Sequence, residues 1–393
     1  MDKPKYKNTN SIIIWPSSFA PVSGGMQTAA REIGQFLKKN NWNVRYITNR
    51  YPKTLDKKDV LNGIEIHRLI FLHSPINYLK SLRFDLLLGW LVFKPITLIK
   101  LFLIFLKARP SIVHIHFPDN QIFESLVLKK IFNFKLVASF HGNDIEKLHS
   151  EKTSNSKFFL MMYLLKKADL VTGCSNYIIR KIKLTFPKIN HQKLLVLHNG
   201  VAEDFQNTLL KKKKDKFFFS AARNAPVKGI DFLSSLSPPF NQFLFKVAGD
   251  NYKKTDDQSN VRFLGPLDSS KIIENMSKCS VTIIPSRNEA FGIVIAEALC
   301  CGSPIVATNV GGIPEVLDLA KKNLTPNEIS IFHYWVKLVD PDIQSLILGI
   351  NEILKNSHSM EHYLKIVPKI QKVFQWNNLL KNYHKSLTGL LLL

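Results

Sequence analysis

The sequence predicts an α/β protein of two Rossmann-like domains, each a parallel sheet covered by helices, facing one another across a cleft. Three observations lead there. Short apolar runs alternate with helix-length stretches through most of the chain. The rhythm breaks once, near the middle, at four consecutive lysines, Lys211–Lys214. On each side of the break, residues suited to anions or hydroxyls follow directly on apolar runs, at the strand ends where open α/β sheets hold their ligands.

"SIIIWP" (11–16) reads as a short buried strand. "SGGMQTAAREIGQFLKKNNW" follows, with Met26, Ala29, Ala30, Ile33, Phe36 and Leu37 at helical spacing. "NVRYIT" (43–48), "SIVHIHF" (111–117), "KLVASFH" (135–141), "ADLVTGCS" (168–175) and "KLLVLHNG" (193–200) are further strands separated by helix-length segments. "QNTLLKKKKDK" (206–216) suits a solvated linker or a charged surface turn. A second series runs through "FFFSAARN" (217–224), "QFLFKVAGD" (242–250), "VRFLG" (261–265), "VTIIPS" (281–286) and "PIVATN" (304–309). Domains are therefore expected at 1–205 and 212–365.

Composition bounds the partners. The 393 residues are 45% hydrophobic and 21% charged, which excludes a disordered chain or a multi-span membrane protein. Fifty-four Lys and Arg against 30 Asp and Glu give +24, pointing to nucleic acid, anionic lipid or phosphorylated small molecules. Cys174, Cys279, Cys300 and Cys301 lack zinc-ligand spacing and read as free thiols of a reducing compartment. The basic N-terminus has an apolar run, Ile12–Trp15, too short for a signal peptide, so a cytoplasmic location is expected.

Within "SRNEAFGIVIAEALCCGSP" (286–304), Glu289 and Glu297 stand eight apart in an apolar segment. Burying an unpaired carboxylate costs several kcal/mol, so each needs a partner or a task. Gly292 opens a helix whose free N–H groups favour an anion such as phosphate. Glu297, about two turns in, is placed to accept hydrogen bonds from sugar or ribose hydroxyls, or to pair with a buried base. Gly24 and Gly25, after the first strand, let backbone approach a phosphate, though any tight turn carries such a pair. Arg223 and Lys228, after the first strand of the second half, suit a diphosphate or are two surface cations. His141 follows a strand and is either a ligand contact or a core histidine; Asp144 beside it suits a helix cap. "NVGGIPEV" (309–316) reads as fold punctuation, and Asp340-Pro341-Asp342 as a capping sequence and no metal site. Walker, dinucleotide, zincin and Ser-hydrolase motifs are absent.

In their order, "GGMQTAAREI", "ASFHGND", "VTGCS", "LHNGVAEDF", "ARNAPVKGIDFL", "VAGD", "VRFLG", "PSRNEAFGIVIAEALCCGSPIVAT" and "GGIPEV" resemble glycosyltransferase family 4, the retaining nucleotide-sugar transferases of the GT-B fold. The resemblance spans nearly the whole chain, and the Glu289-to-Glu297 spacing with its flanks is its most specific part. It implies that Glu297 binds the donor ribose, and that Glu289 with the backbone of Ala290, Phe291, Gly292 and Ile293 holds the transferred sugar. It implies that Arg223 and Lys228 neutralise the diphosphate under Gly24 and Gly25, and that His141 lies by the reacting carbon. No metal and no cofactor are expected, since these cations stabilise the leaving group of an oxocarbenium-like transition state. Ala222 departs from the glycine usual before the arginine, which touches the loop's shape. The family, with the apolar spacing of Trp376, Leu379, Leu380 and Tyr383, also implies a final helix (370–393) packing back on the first domain. A nucleotide-sugar epimerase on the same scaffold and a basic nucleic-acid-binding protein are the alternatives; the latter's motifs are absent, and no nucleic-acid partner is expected.

"YLKSLRFDLLLGWLVFKPITLIKLFLIFLKAR" (78–109) is very apolar, but its longest uncharged run, Leu86–Phe93, falls short of the roughly 20 residues of a span. Pro95 is expected to break it into two helices, with Lys80, Arg83 and Lys94 on one face of the first and Lys100 and Lys107 on one face of the second. That is the pattern of helices lying on anionic lipid, or of two ordinary helices packed on a sheet. With the resemblance, it implies a peripheral enzyme at the inner face of a bacterial cell membrane, extending a glycan or a lipid-linked glycan in polysaccharide synthesis.

Overall fold

The computed structural model describes residues 10–22, 24–72, 84–150, 156–250 and 260–392. The basic N-terminal nine residues, Ser23, Lys80 and Arg83 lie outside them. The chain divides into two compact units, Met1–His198 with Leu380–Leu393, and Asn199–Leu379.

The first unit is built on eight strands: β1 (Ser11–Pro16), β2 (Asn43–Asn49), β3 (Lys58–Leu61), β4 (Ile64–Leu69), β5 (Ile112–His116), β6 (Lys135–Phe140), β7 (Leu170–Gly173) and β8 (Leu194–Val196). Their order is β3-β4-β2-β1-β5-β6-β7-β8, parallel except for the β3–β4 pair. The second unit has six parallel strands: β9 (Asp215–Ala221), β10 (Leu244–Ala248), β11 (Val261–Gly265), β12 (Cys279–Ile284), β13 (Ile305–Thr308) and β14 (Val336–Val339). Their order is β11-β10-β9-β12-β13-β14. Numbered within the unit this is 3-2-1-4-5-6, the doubly wound order of Rossmann sheets, and the first unit repeats it with an added hairpin strand and a seventh. Each sheet therefore has one place where successive connections leave in opposite directions: β1/β5 in the first, β9/β12 in the second. Central strands are buried on both faces, which is why Ile12–Trp15 and Ile305–Ala307 are continuous apolar runs.

Three strands escape an apolar-run reading. β3 and β4 carry Lys58, Asp59, Glu65, His67 and Arg68, too polar for it, but Asn62 and Gly63 between them have φ of 50° and 71°. That is a two-residue hairpin turn, which an Asn-Gly pair favours. β14 has only four residues. Lys214 also departs from the solvated stretch expected of it. Its ammonium donates to the carbonyls of Ser277 (2.7 Å) and Gly302 (3.0 Å), and burial lowers its pKa to about 8.

The apolar segment expected as two helices is one, Phe84–Ala108, with Pro95 inside it. Contacts on both sides of the proline pack it along the first unit. Thr97 donates to the Ile70 carbonyl at 3.2 Å, and Leu101, Phe105 and Ala108 are buried one turn apart. Lys94, expected on an exposed basic stripe, is buried and ion-paired with the fully buried Glu124 of the helix Ile122–Ile131. The outward face is apolar: Leu91, Val92, Phe93, Ile96, Ile99, Leu103 and Leu106 are exposed, with Lys100 and Lys107 among them. Leu88–Ala108 is long and apolar enough to cross a membrane, with only 22% of its most apolar window buried.

The Lys94–Glu124 pair sets a stability prediction. Lys94→Ala strands a carboxylate that burial already pushes up in pKa, and should cost about 3–5 kcal/mol in urea unfolding. Lys94→Met with Glu124→Leu should restore most of it. A single variant as stable as wild type would show the pair to be solvated.

Candidate functional site

The second unit gathers its chemistry at the carboxyl ends of β9, β12 and β13, three adjacent strands. The loop after β12, 285–292, is held from both sides by backbone contacts. On one side, the Val227 carbonyl accepts from the N–H groups of Arg287 (2.8 Å) and Asn288 (3.2 Å). Gly229 sits there at φ 62°, where a Cβ would lie 1.9 Å from the Pro285 carbonyl oxygen. On the other side, Gly312 donates to the Glu289 carbonyl at 2.8 Å. A Cβ on Gly311 would meet that same oxygen at 2.0 Å. The Gly-Gly turn expected as fold punctuation is thus a support for the Glu289 loop.

Side chains tighten the same junction. Lys228 donates to Glu289 Oε2 at 2.5 Å, their side chains 22% and 16% exposed. Arg287 forks onto both oxygens of Asp231 (2.7 and 2.6 Å), reaches the Pro226 carbonyl and lies over the Phe232 ring. The sequence reading missed Arg287, Asp231 and Gly229, because partners 56 residues apart leave no local signal. Lys228, expected to face a diphosphate, is here paired with Glu289. Arg223, in the loop after β9, is exposed, and no ion pair reaches it among the described residues.

Gly292, at φ 97°, precedes the helix Ile293–Cys300, and Phe291 beside it is buried. Glu297 lies within that helix, flanked by the buried Ala296 and Ala298. It is half-buried, and among the described residues no hydrogen bond or ion pair meets its carboxylate. Burial raises its pKa to about 8. Among the described residues the pairing alternative is therefore absent, and this is an acceptor group without a donor there.

In the first unit, Gly24 and Gly25 begin the helix Gly25–Lys39 after β1. A Cβ on Gly25 would meet nothing within 4 Å, so the fold does not require glycine there. His141 follows β6, and Asp144 fixes its turn. The Asp144 carboxylate accepts from the N–H groups of His141 (3.0 Å), Gly142 (2.8 Å) and Ile145 (3.1 Å). Burial outweighs those bonds and lifts its pKa to about 6. His141 itself is neutral, its pKa lowered by burial to about 4.

Both halves of the chain match known protein families. Residues 23–205 match the family model "Glycosyltransferase Family 4", and residues 201–372 match "Glycosyl transferases group 1". An uncharacterized glycosyltransferase of Methanocaldococcus jannaschii is 28% identical over 233 residues; the match covers 56% of this chain and 63% of that one, less than two thirds of it. N-acetyl-alpha-D-glucosaminyl L-malate synthase of Bacillus anthracis is 24% identical, over 76% of this chain and 79% of its own. Sucrose-phosphate synthase from Thermosynechococcus elongatus superposes with a TM-score of 0.72 at 18% identity, covering 97% and 99% of the two chains.

Glu297 makes stability depend on pH. Its folded pKa, about 8, lies above the ordinary 4.5, so its contribution is complete below 4.5 and lost as pH rises toward 8. Glu297→Gln should match wild type near pH 5 and exceed it near pH 8 in chemical denaturation. Equal loss of stability in both proteins over that range would mean that the carboxylate finds a partner in the folded chain.

Proposed function

This chain belongs to glycosyltransferase family 4 and is a glycosyltransferase of the GT-B type; from that premise we propose a retaining, metal-independent transfer from a nucleotide-sugar donor to a glycan or lipid-linked glycan. The observation that carries the donor reading is Glu297. A carboxylate without a donor among the described residues, on an apolar helix, is matched by a ligand that brings hydroxyls, and a ribose supplies two. Arg223 stands ready for the diphosphate. Lys228 is handed from Glu289 to the phosphates as Glu289 and the backbone from Ala290 to Ile293 take up the sugar. By the family resemblance, Gly24 and Gly25 of the first unit are assigned to the phosphates and His141 to the sugar.

Bond cleavage at the anomeric carbon builds positive charge on the ring and negative charge on the departing diphosphate. Arg223, Lys228 and the helix terminus at Gly292 stabilise the leaving group as its charge grows. The acceptor hydroxyl attacks from the face the phosphate leaves, and the phosphate oxygen takes its proton, so configuration is retained without a carboxylate nucleophile.

The acceptor reading rests on the helix Phe84–Ala108. Its inner stripe is packed along the first unit, so its exposed leucines, isoleucines and phenylalanines suit a helix lying flat in a membrane interface. Lys100 and Lys107 add attraction to anionic lipid. A cytoplasmic enzyme held on the inner membrane face meets lipid-linked acceptors there.

Two measurements test this. In transfer assays with a nucleotide-sugar panel, Arg223→Ala and Lys228→Ala should each lower kcat by roughly 10²–10³, and EDTA should do little. Inhibition by EDTA reversed by Mg²⁺ would overturn metal independence. In sedimentation with anionic liposomes, Ile99→Glu with Leu103→Glu should abolish binding at any salt, and Lys100→Glu with Lys107→Glu should weaken it at low salt. Wild type remaining in the supernatant at low salt would defeat the membrane reading.

A further inference from the structure

Beneath His141 lies a polar cluster that the donor reading does not use. His114 and His116, both on β5 and both fully buried, lie with their rings tilted by 38° and ring centroids 3.9 Å apart. Tyr383, from the helix Trp376–Leu392, bonds His114 Nδ1 at 2.7 Å, and His114 Nε2 meets Ser139 Oγ, which meets Thr172. With Tyr383 donating, each of these groups has its partner, and the His114 ring is pinned. The backbone of His116 is held too, its carbonyl accepting from Ser17 N–H and the Gln121 side chain. Its Nδ1 lies 3.1 Å from His141 Nε2, with the two rings stacked.

Two proton placements fit that 3.1 Å contact. If His141 Nε2–H donates, His116 carries its own proton on Nε2, a buried atom without a partner among the described residues. If His116 Nδ1–H donates, His116 Nε2 is a bare acceptor and the free proton sits on His141 Nδ1. That atom is also buried and unpartnered, but on a half-buried residue at a strand end, where a ligand can meet it. A buried N–H without an acceptor is rarer and costlier than an unused acceptor. Burial keeps both rings neutral near pH 7, so neither serves as an imidazolium.

We infer that His116 is a positioning residue that sets the tautomer of His141, donating its Nδ1–H to His141 Nε2 so that His141 presents an Nδ1–H donor to an oxygen of the donor substrate. This rests on the reading of His141 as a ligand contact. His141 then acts as a neutral hydrogen-bond donor and moves no proton. Because His116 reacts with nothing, its loss should act through the ring it orients.

Ring ¹⁵N spectra of the ¹⁵N-histidine-labelled full chain, with His141 assigned by His141→Gln, report the tautomer directly. Wild type should show a pyrrole-type Nδ1 and a pyridine-type Nε2 at His141; the reverse overturns the inference without any variant. His116→Phe should mix the tautomers and lower kcat roughly ten- to a hundredfold, the scale for losing the partner behind a functional histidine, with donor KM little changed. His116→Asn, whose amide reaches the Nδ1 position, should restore both. A folded His116→Phe with wild-type spectrum and turnover would refute the role. Unchanged turnover in His141→Ala would instead remove His141 from the site while the spectra still decided the tautomer.

Discussion

The close stacking of backbone on backbone around the loop 285–292 is the constraint on which the second unit's chemistry depends. Gly229 and Gly311 press against the Pro285 and Glu289 carbonyl oxygens at distances no Cβ allows. Both sit at positive φ, 62° and 58°, where other residues are strained. The loop is thereby wedged between the turns after β9 and β13. Glu289, Lys228 and the helix terminus at Gly292 inherit fixed positions from it. Arg287, forked onto Asp231, clamps one side of the same wedge. Preorganised charge is worth most where it does not have to move, and this packing supplies that rigidity.

Buried polar groups follow two different rules in the molecule. Lys94 with Glu124, and His114 with Tyr383 and Ser139, are paired within the protein, as buried polar groups ordinarily are. His116 Nε2 and His141 Nδ1 are exceptions, and the half-buried Glu297 meets no protein donor among the described residues. A group left unmatched by the fold is held there at a cost in stability. The helix Phe84–Ala108 shows the same economy from the other side: its one inward lysine, Lys94, is neutralised by Glu124, and most of its outward face is left apolar.

Much of this was legible in the sequence. Two βα series, the strand ends carrying Arg223, His141 and Glu289, and the helix bearing Glu297 follow from local runs and spacing. So does the family, since the order of its motifs is a property of the chain alone. The hairpin β3–β4 was legible in principle from Asn62-Gly63, yet its polar edge strands hid it from a search for apolar runs. Phe84–Ala108 misled in a specific way. Its lysines are spaced as an exposed stripe would be, but helical spacing says which residues share a face, and not which face turns inward.

What the sequence determined by itself was therefore most of the local elements, their parallel pairing and the residue types at each strand end, because periodicity and turn chemistry act over a few neighbours. Tertiary structure alone decided the pairings: Lys228 with Glu289, Arg287 with Asp231, Lys94 with Glu124, His116 with His141, and the absence of a partner for Glu297 among the described residues. Each joins elements 25 or more residues apart or, for Glu297, depends on what every other element leaves uncovered. Such contacts are set by the register of strands and the close approach of backbones, and these exist only once the sheets have formed.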